Sequence, residues 1–183
     1  RNFLYKWNKT IQNEYPGFNI VGEEWTLDKS IIGLWQISGE RKNGKSQGLL
    51  SKRDRSNVPS LMDFPLHGAI IKAMSPKEKK WDDRLIHIYR NLASDYLYPD
   101  PDNMVIFLDN HDMSRCFYQL KHDFDYWKMA HAFLLTTRGI PQVYYGTEIL
   151  MSDSTSPGDH GTLRADFIGG WKTDKLNAFE GKI

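Results

Sequence analysis

The sequence predicts an α/β fold in which strands and helices alternate around a parallel sheet, and three observations predict it. Short apolar runs begin near residues 18, 60, 103 and 142, about 40 residues apart, a spacing that fits strand–helix units joined by right-handed crossovers. Segments with helical periodicity lie between these runs. Polar, mostly acidic residues follow three of the runs directly, as expected where strand C-termini open onto one shared crevice. A complete (β/α)8 TIM barrel takes about 250 residues. Four units are about half of one, so residues 1–183 read as a single partial barrel domain.

The first helix is predicted over residues 2–14, on the spacing of Phe3, Leu4, Trp7 and Ile11, and Tyr15-Pro16-Gly17 stops it. The chain opens with Arg1-Asn2-Phe3 inside that periodicity, with no Met or signal peptide, so a fragment of a longer protein is expected. Residues 18–21 form the first strand, expected to be buried on both faces, and Gly22 ends it before Glu23-Glu24-Trp25. The second strand is expected over residues 60–64, stopped by Pro65. A helix then follows through Trp81, Leu85, Ile88, Leu92 and Tyr96. Residues 104–108 give the clearest strand, which runs into Asp109-Asn110-His111-Asp112, a cluster that no buried strand holds without partners. An amphipathic helix through Tyr126, Trp127, Ala130, Phe133 and Leu134 is ended by Gly139 and Pro141. The last strand is placed at residues 142–145 and closed by Gly146, and residues 152–183 read as a long loop.

Composition narrows the function classes. Lys plus Arg (24) nearly balances Asp plus Glu (23), which gives no electrostatic reason to expect nucleic acid or an anionic membrane as partner. No apolar stretch approaches the roughly 20 residues that span a bilayer. The single cysteine, Cys116, excludes an internal disulfide and reads as a partly buried thiol. Trp7, Trp81 and Trp127 are expected in the core, and His67, His87, His122 and His131 as structural or surface residues. Lys77-Glu78-Lys79-Lys80 is expected to be a solvated turn. Nothing in the sequence fixes the cellular compartment.

Paired carboxyl groups facing a neutral substrate suggest glycoside hydrolysis, in which one carboxyl must stay protonated to reach the leaving oxygen. Glu23 is the better candidate, since Glu24 and Trp25 offer like charge and a low-dielectric wall. Asn19-Ile20-Val21-Gly22-Glu23-Glu24-Trp25 resembles the strand-five motif of the α-amylase family, and Phe107-Leu108-Asp109-Asn110-His111-Asp112 its strand-seven motif. Ser60-Leu61-Met62-Asp63-Phe64-Pro65-Leu66 is similar to the sixth strand, and Gly139-Ile140-Pro141-Gln142-Val143-Tyr144-Tyr145-Gly146-Thr147-Glu148 to the eighth. Arg164, Asp166 and Gly169-Gly170-Trp171 further resemble the loop after strand eight in neopullulanases and cyclomaltodextrinases.

This resemblance implies strands five to eight of the barrel and retaining cleavage of α-1,4-glucosidic bonds in starch-type or malto-oligosaccharide substrates. Glu23 inherits the role of general acid and Asp112 that of transition-state stabiliser. His111, Asn110, Trp25, Arg115 and Tyr145 are implied to bind substrate. The family's strand-four nucleophile has no match here, so the upstream strands and a downstream C-terminal domain are expected to be missing and the chain inactive alone. No cofactor is required; Ca²⁺ is compatible with the resemblance, although no oxygen-rich loop of the EF-hand kind is present. Unpaired edge strands would favour self-association. Two rival readings stand beside this one. The first is a non-catalytic carbohydrate-binding fragment using Trp25 and Trp171. The second is a nucleotide-binding protein, because Gly39-Glu40-Arg41-Lys42-Asn43-Gly44-Lys45-Ser46 fits the phosphate-loop pattern.

Overall fold

The computed structural model describes residues 2–36, 56, 58–75, 83–154 and 160–180. The octapeptide beginning at Gly39, the lysine-rich turn and Trp81 lie outside these residues. The described elements run α1 (Asn2–Glu14), β1 (Val21–Gly22), α2 (Lys29–Gly33), β2 (Ser60–Leu61), α3 (Phe64–Met74) and α4 (Ile86–Ala93). They continue with β3 (Val105–Phe107), α5 (Cys116–Gln119), α6 (Phe124–Thr136) and β4 (Ile140–Gln142).

All strand pairings among the described residues are parallel: β1 lies beside β2, and β3 beside β4. A parallel bridge between Met62 and Val105 joins the two pairs, and the Asp63 amide donates to the Val105 carbonyl at 2.8 Å. The strands therefore stand side by side in chain order, as successive βα units do around a barrel. β3 is buried on both faces. On one face Ile106 and Leu108 pack with Leu66 and Ile70 of α3, Ile88 of α4 and Leu134 of α6; on the other, Val105 and Phe107 pack with Met62 and Phe64. Each fully buried aliphatic side chain of this kind contributes about 2 kcal/mol.

Several expectations are corrected. The second strand ends early, and Phe64 and Pro65 open helix α3, because Asp63 caps it by accepting the Leu66 amide at 3.0 Å and proline fits the first helical turn. Pro141 likewise lies inside β4, which begins two residues earlier than expected. The Ile140 amide donates to the Met104 carbonyl at 2.8 Å, so the neighbouring nitrogen of Pro141 faces away from β3 and its missing N–H costs no bond to that strand. The first strand is not buried on both faces: Phe18 and Val21 are exposed, since β1 pairs only with β2 among the described residues. Trp7 is 45% exposed and outside the core, because α1 turns the face of Leu4, Asn8 and Ile11 inward, where Asn8 is fully buried and donates to the Ser56 carbonyl at 3.1 Å. Leu85 and Tyr96 fall outside α4 and are exposed, whereas Ile88 and Leu92 face the core. Cys116 is fully buried rather than partly so. Residues 160–180 form the expected irregular segment with two single 3-10 turns, Thr162–Arg164 and Ala178–Glu180.

A buried ion network ties the sheet to its flanking turns. Arg138 bonds Asp63 at 2.8 Å and grips Asp95 at 2.8 and 2.6 Å, and Lys29 reaches Asp95 at 2.5 Å. The Tyr98 hydroxyl donates to the other oxygen of Asp63 at 2.9 Å. Two cations against two carboxylates leave the cluster formally neutral, the condition under which buried charge is tolerated.

Candidate active site

Gly22 lets β1 lie close against its neighbours. A Cβ there would sit 3.1 Å from Val58 and 3.3 Å from Leu61, tighter than ordinary contact. The chain then leaves the sheet with Glu23 exposed, Glu24 half-buried and Trp25 half-exposed. Trp25 stacks on Phe64 (5.1 Å between centroids, 18° between planes), Phe64 meets Phe107 edge-on at 5.1 Å, and His67 stacks on Phe107 at 5.4 Å. This aromatic ladder links the exits of β1, β2 and β3. Trp25 thus turns one face to Phe64 instead of enclosing Glu23, which stays open to solvent.

Beyond β3, burial falls off along the chain: Asp109 and Asn110 are buried, and His111 and Asp112 emerge. Asp109 accepts the Cys116 amide at 2.7 Å at the start of α5. Burial pushes its carboxyl up to about 6, against the pull of that amide and of Arg115. The Asn110 side-chain oxygen accepts the Asp112 amide at 2.9 Å and fixes the turn. Asp112 lies among three cationic or potentially cationic groups: Arg164 bonds one carboxylate oxygen, His160 approaches the same oxygen at 3.3 Å, and His111 approaches the other at 3.3 Å. Desolvation works to raise its pKa, but the hydrogen bonds from His160 and Arg164 and the charges of His111 and Arg164 win, holding the carboxyl below its ordinary range. Asp112 is therefore ionised at neutral pH.

The β4 exit holds the loop that carries Arg164. Arg115, expected to contact substrate, is 1% exposed. Its guanidinium donates to the carbonyls of Tyr145 (2.5 Å) and Leu163 (2.8 Å) and stacks 4.0 Å from the Tyr144 ring. Tyr145 is 38% exposed, and its hydroxyl donates to the Ala165 carbonyl at 2.6 Å. Arg115 and Tyr145 thus clamp residues 163–165, and Arg164 itself donates to the His111 carbonyl at 3.0 Å. No motif in the sequence marks His160, and Arg164 stands out only through the family resemblance. Both lie about fifty residues beyond Asp112, and no local pattern signals the contact. Among the described residues, no group of three or more His, Cys, Asp or Glu is placed to hold a metal ion, and no helix is long and apolar enough to cross a membrane.

A parallel α/β domain with carboxylates and aromatic rings at one set of strand ends defines a barrel-type domain whose site would lie at its C-terminal mouth. The α-amylase catalytic-domain profile matches residues 1–175, and the chain belongs to that family. It is 39% identical over 162 residues to a cyclomaltodextrin glucanotransferase of Bacillus sp. (strain 17-1), an alignment covering 86% of this chain and 20% of the relative. A second such enzyme, from Bacillus sp. (strain 38-2), is 30% identical over 165 residues, with 86% and 20% covered. Among solved structures, the α-amylase of Geobacillus thermoleovorans complexed with acarbose is 26% identical with a TM-score of 0.66, over 87% of this chain and 32% of that one. These likenesses carry the (β/α)8 fold class, and the chain spans about a fifth of the length of the curated relatives it matches.

Proposed function

We propose that the chain supplies strands five to eight of an α-amylase-type barrel that cleaves α-1,4-glucosidic bonds in starch-type or malto-oligosaccharide substrates with retention. Glu23 is the general acid and Asp112 the transition-state stabiliser. The observation that carries this reading is the arrangement of the exits: the strands bearing the two motifs, β1 and β3, stand two positions apart with β2 between them and release Glu23 and Asp112 at the same end. At about 4.8 Å per strand spacing, β1 and β3 lie about 10 Å apart, a gap that admits one pyranose.

In the proposed reaction an aspartate from the family's fourth strand attacks the anomeric carbon while Glu23 gives its proton to the departing glycosyl oxygen. No residue here matches that nucleophile motif. Asp112, ionised at neutral pH, accepts hydrogen bonds from the hydroxyls of the reacting sugar and offsets the positive charge that develops on its ring. His111 donates to the same sugar, and the open faces of Trp25 and Tyr145 contact its neighbours. Asn110 and Arg115, being buried, act by holding Asp112 and the Arg164 loop in place. Arg164, Asp166 and Gly169-Gly170-Trp171 favour the neopullulanase and cyclomaltodextrinase branch.

The test has two arms. The purified chain should release no reducing sugar from soluble starch, pullulan or cyclodextrin. Mixed with a polypeptide supplying the four preceding βα units, it should gain activity that Glu23→Gln and Asp112→Asn each abolish. Reconstituted activity indifferent to both substitutions would overturn the assignment. A carbohydrate-binding role without cleavage is the second reading, favoured by the exposed rings of Trp25 and Trp171, and oligosaccharide binding with no turnover in the reconstituted barrel would support it. Edge-to-edge self-association through β1 and β4 is proposed alongside, and a monomer by light scattering at high concentration would remove it.

A further inference from the structure

The two oxygens of the Asp112 carboxylate have different surroundings. A carboxylate offers about four acceptor positions, two on each oxygen. On Oδ1 both are engaged, since Arg164 Nη2 bonds it and His160 Nδ1 lies at 3.3 Å. Oδ2 has His111 Nε2 at 3.3 Å. Among the described residues, the acceptor position without a protein group is therefore on Oδ2, and the side chain as a whole is 26% exposed.

Arg164 is held in place for this contact from three directions. Its Nε donates to the His111 carbonyl at 3.0 Å while Nη2 bonds Asp112, so one planar guanidinium spans two successive residues of the turn after β3. The backbone on either side of it is anchored as well. Leu163 is fully buried, and its carbonyl accepts from the buried Arg115 at 2.8 Å and from the Tyr144 hydroxyl at 3.3 Å. The Ala165 carbonyl accepts from the Tyr145 hydroxyl at 2.6 Å. On the opposite side, the bond from the Asp112 amide to Asn110 fixes the backbone of Asp112 but leaves the plane of its carboxyl to be set by other contacts. Groups fixed before substrate arrives are what an interaction strongest in the transition state requires.

We propose that Arg164 is a positioning residue for Asp112: with His160 it occupies Oδ1 and so presents Oδ2 to the reacting sugar, and Arg115 and Tyr145 hold it there from the β4 exit. This inference rests on the role proposed above for Asp112. A cation beside a stabilising carboxylate also dilutes its charge, so removing Arg164 would speed the reaction if charge alone mattered and slows it if orientation decides.

The full chain alone reports on the contact. The pH titration of the Asp112 carboxyl, followed by carbon-13 NMR, should move to higher pH in Arg164→Gln, because a charge and a hydrogen bond that favour the ionised form are gone, and should return most of the way in Arg164→Lys. In the reconstituted barrel, Arg164→Gln should lower kcat about tenfold or more while KM changes less than about threefold, and the acid limb of kcat should move to higher pH. Arg164→Lys, which keeps the charge but not the fork, should restore the acid limb and only part of kcat. His160→Gln should act in the same direction as Arg164→Gln and less strongly. An unchanged Asp112 titration, or a kcat left unchanged or raised by Arg164→Gln in a barrel that Asp112→Asn inactivates, would overturn the inference while the role of Asp112 stands. Activity that survives Asp112→Asn would overturn that role and the inference together.

Discussion

Replacing Asp109 by asparagine is expected to stabilise the protein at neutral and alkaline pH. The carboxyl is 4% exposed, accepts one amide from Cys116 and feels Arg115 nearby, yet burial dominates and lifts its pKa from 3.8 to about 6. A group whose pKa rises on folding contributes stability that is present below its unfolded value, near 4, and is lost as pH climbs through about 6. At about 1.4 kcal/mol per pH unit, the ionised form costs the folded state about 3 kcal/mol by pH 8. Asparagine has the same shape and can still accept the Cys116 amide through its side-chain oxygen, but it carries no charge. It also loses the attraction of Arg115 and buries an NH₂ group, so a net gain of about 1 to 3 kcal/mol is expected at pH 8, shrinking to nothing or a small loss at pH 4. Urea unfolding of both proteins between pH 4 and 8 measures the difference. A variant less stable than the parent at pH 8, or a difference that does not change with pH, would refute the reasoning.

Three further outcomes follow from the geometry. The His67 ring should stay neutral to near pH 4, and because folding lowers its pKa, its contribution to stability is present above about 6.5 and lost as pH falls through about 4; an NMR titration midpoint near 6.5 would contradict the burial argument. Arg138→Gln strands Asp63, which is fully buried, and Asp95 without their shared cation, so a loss of about 3 to 5 kcal/mol is expected on denaturation, and a loss below about 1 kcal/mol would show the network to be dispensable. Gly139→Ala should cost about 2 kcal/mol or more, because φ is +101° there and a Cβ would lie 2.8 Å from the Met104 carbonyl oxygen; an unchanged melting temperature would count against that strain.

The legibility of the fold tracks how local its signals are. Residues 104–108 declared β3 because an unbroken apolar run met four polar residues at once, and α1 was bounded by Tyr15-Pro16-Gly17 to the residue. The periodicity of Tyr126 to Leu134 similarly located α6. The two prolines misled for a shared reason. Proline is tolerated at a helix start and on a strand edge as well as at a boundary, so Pro65 concealed α3 and Pro141 displaced β4. In the candidate site, Glu23 and Asp112 stand at the strand ends where the sequence put them. Depth was not legible, and Asn110 and Arg115, which flank His111 and Asp112 in the chain, proved to be buried supports. The contacts of Asp112 with His160 and Arg164 could not be read either, because loop closure over about fifty residues leaves no periodic trace in the chain.

Pro141 has a consequence for whatever lies along the outer border of β4. On that side the rung at Pro141 offers no hydrogen to a neighbouring backbone, so an acceptor laid opposite it must find water or a side chain instead. A segment docking there meets a ladder with one rung missing. Its alignment is thereby restricted to registers that place a carbonyl opposite residue 143, or that leave the blank position facing a group needing no donor.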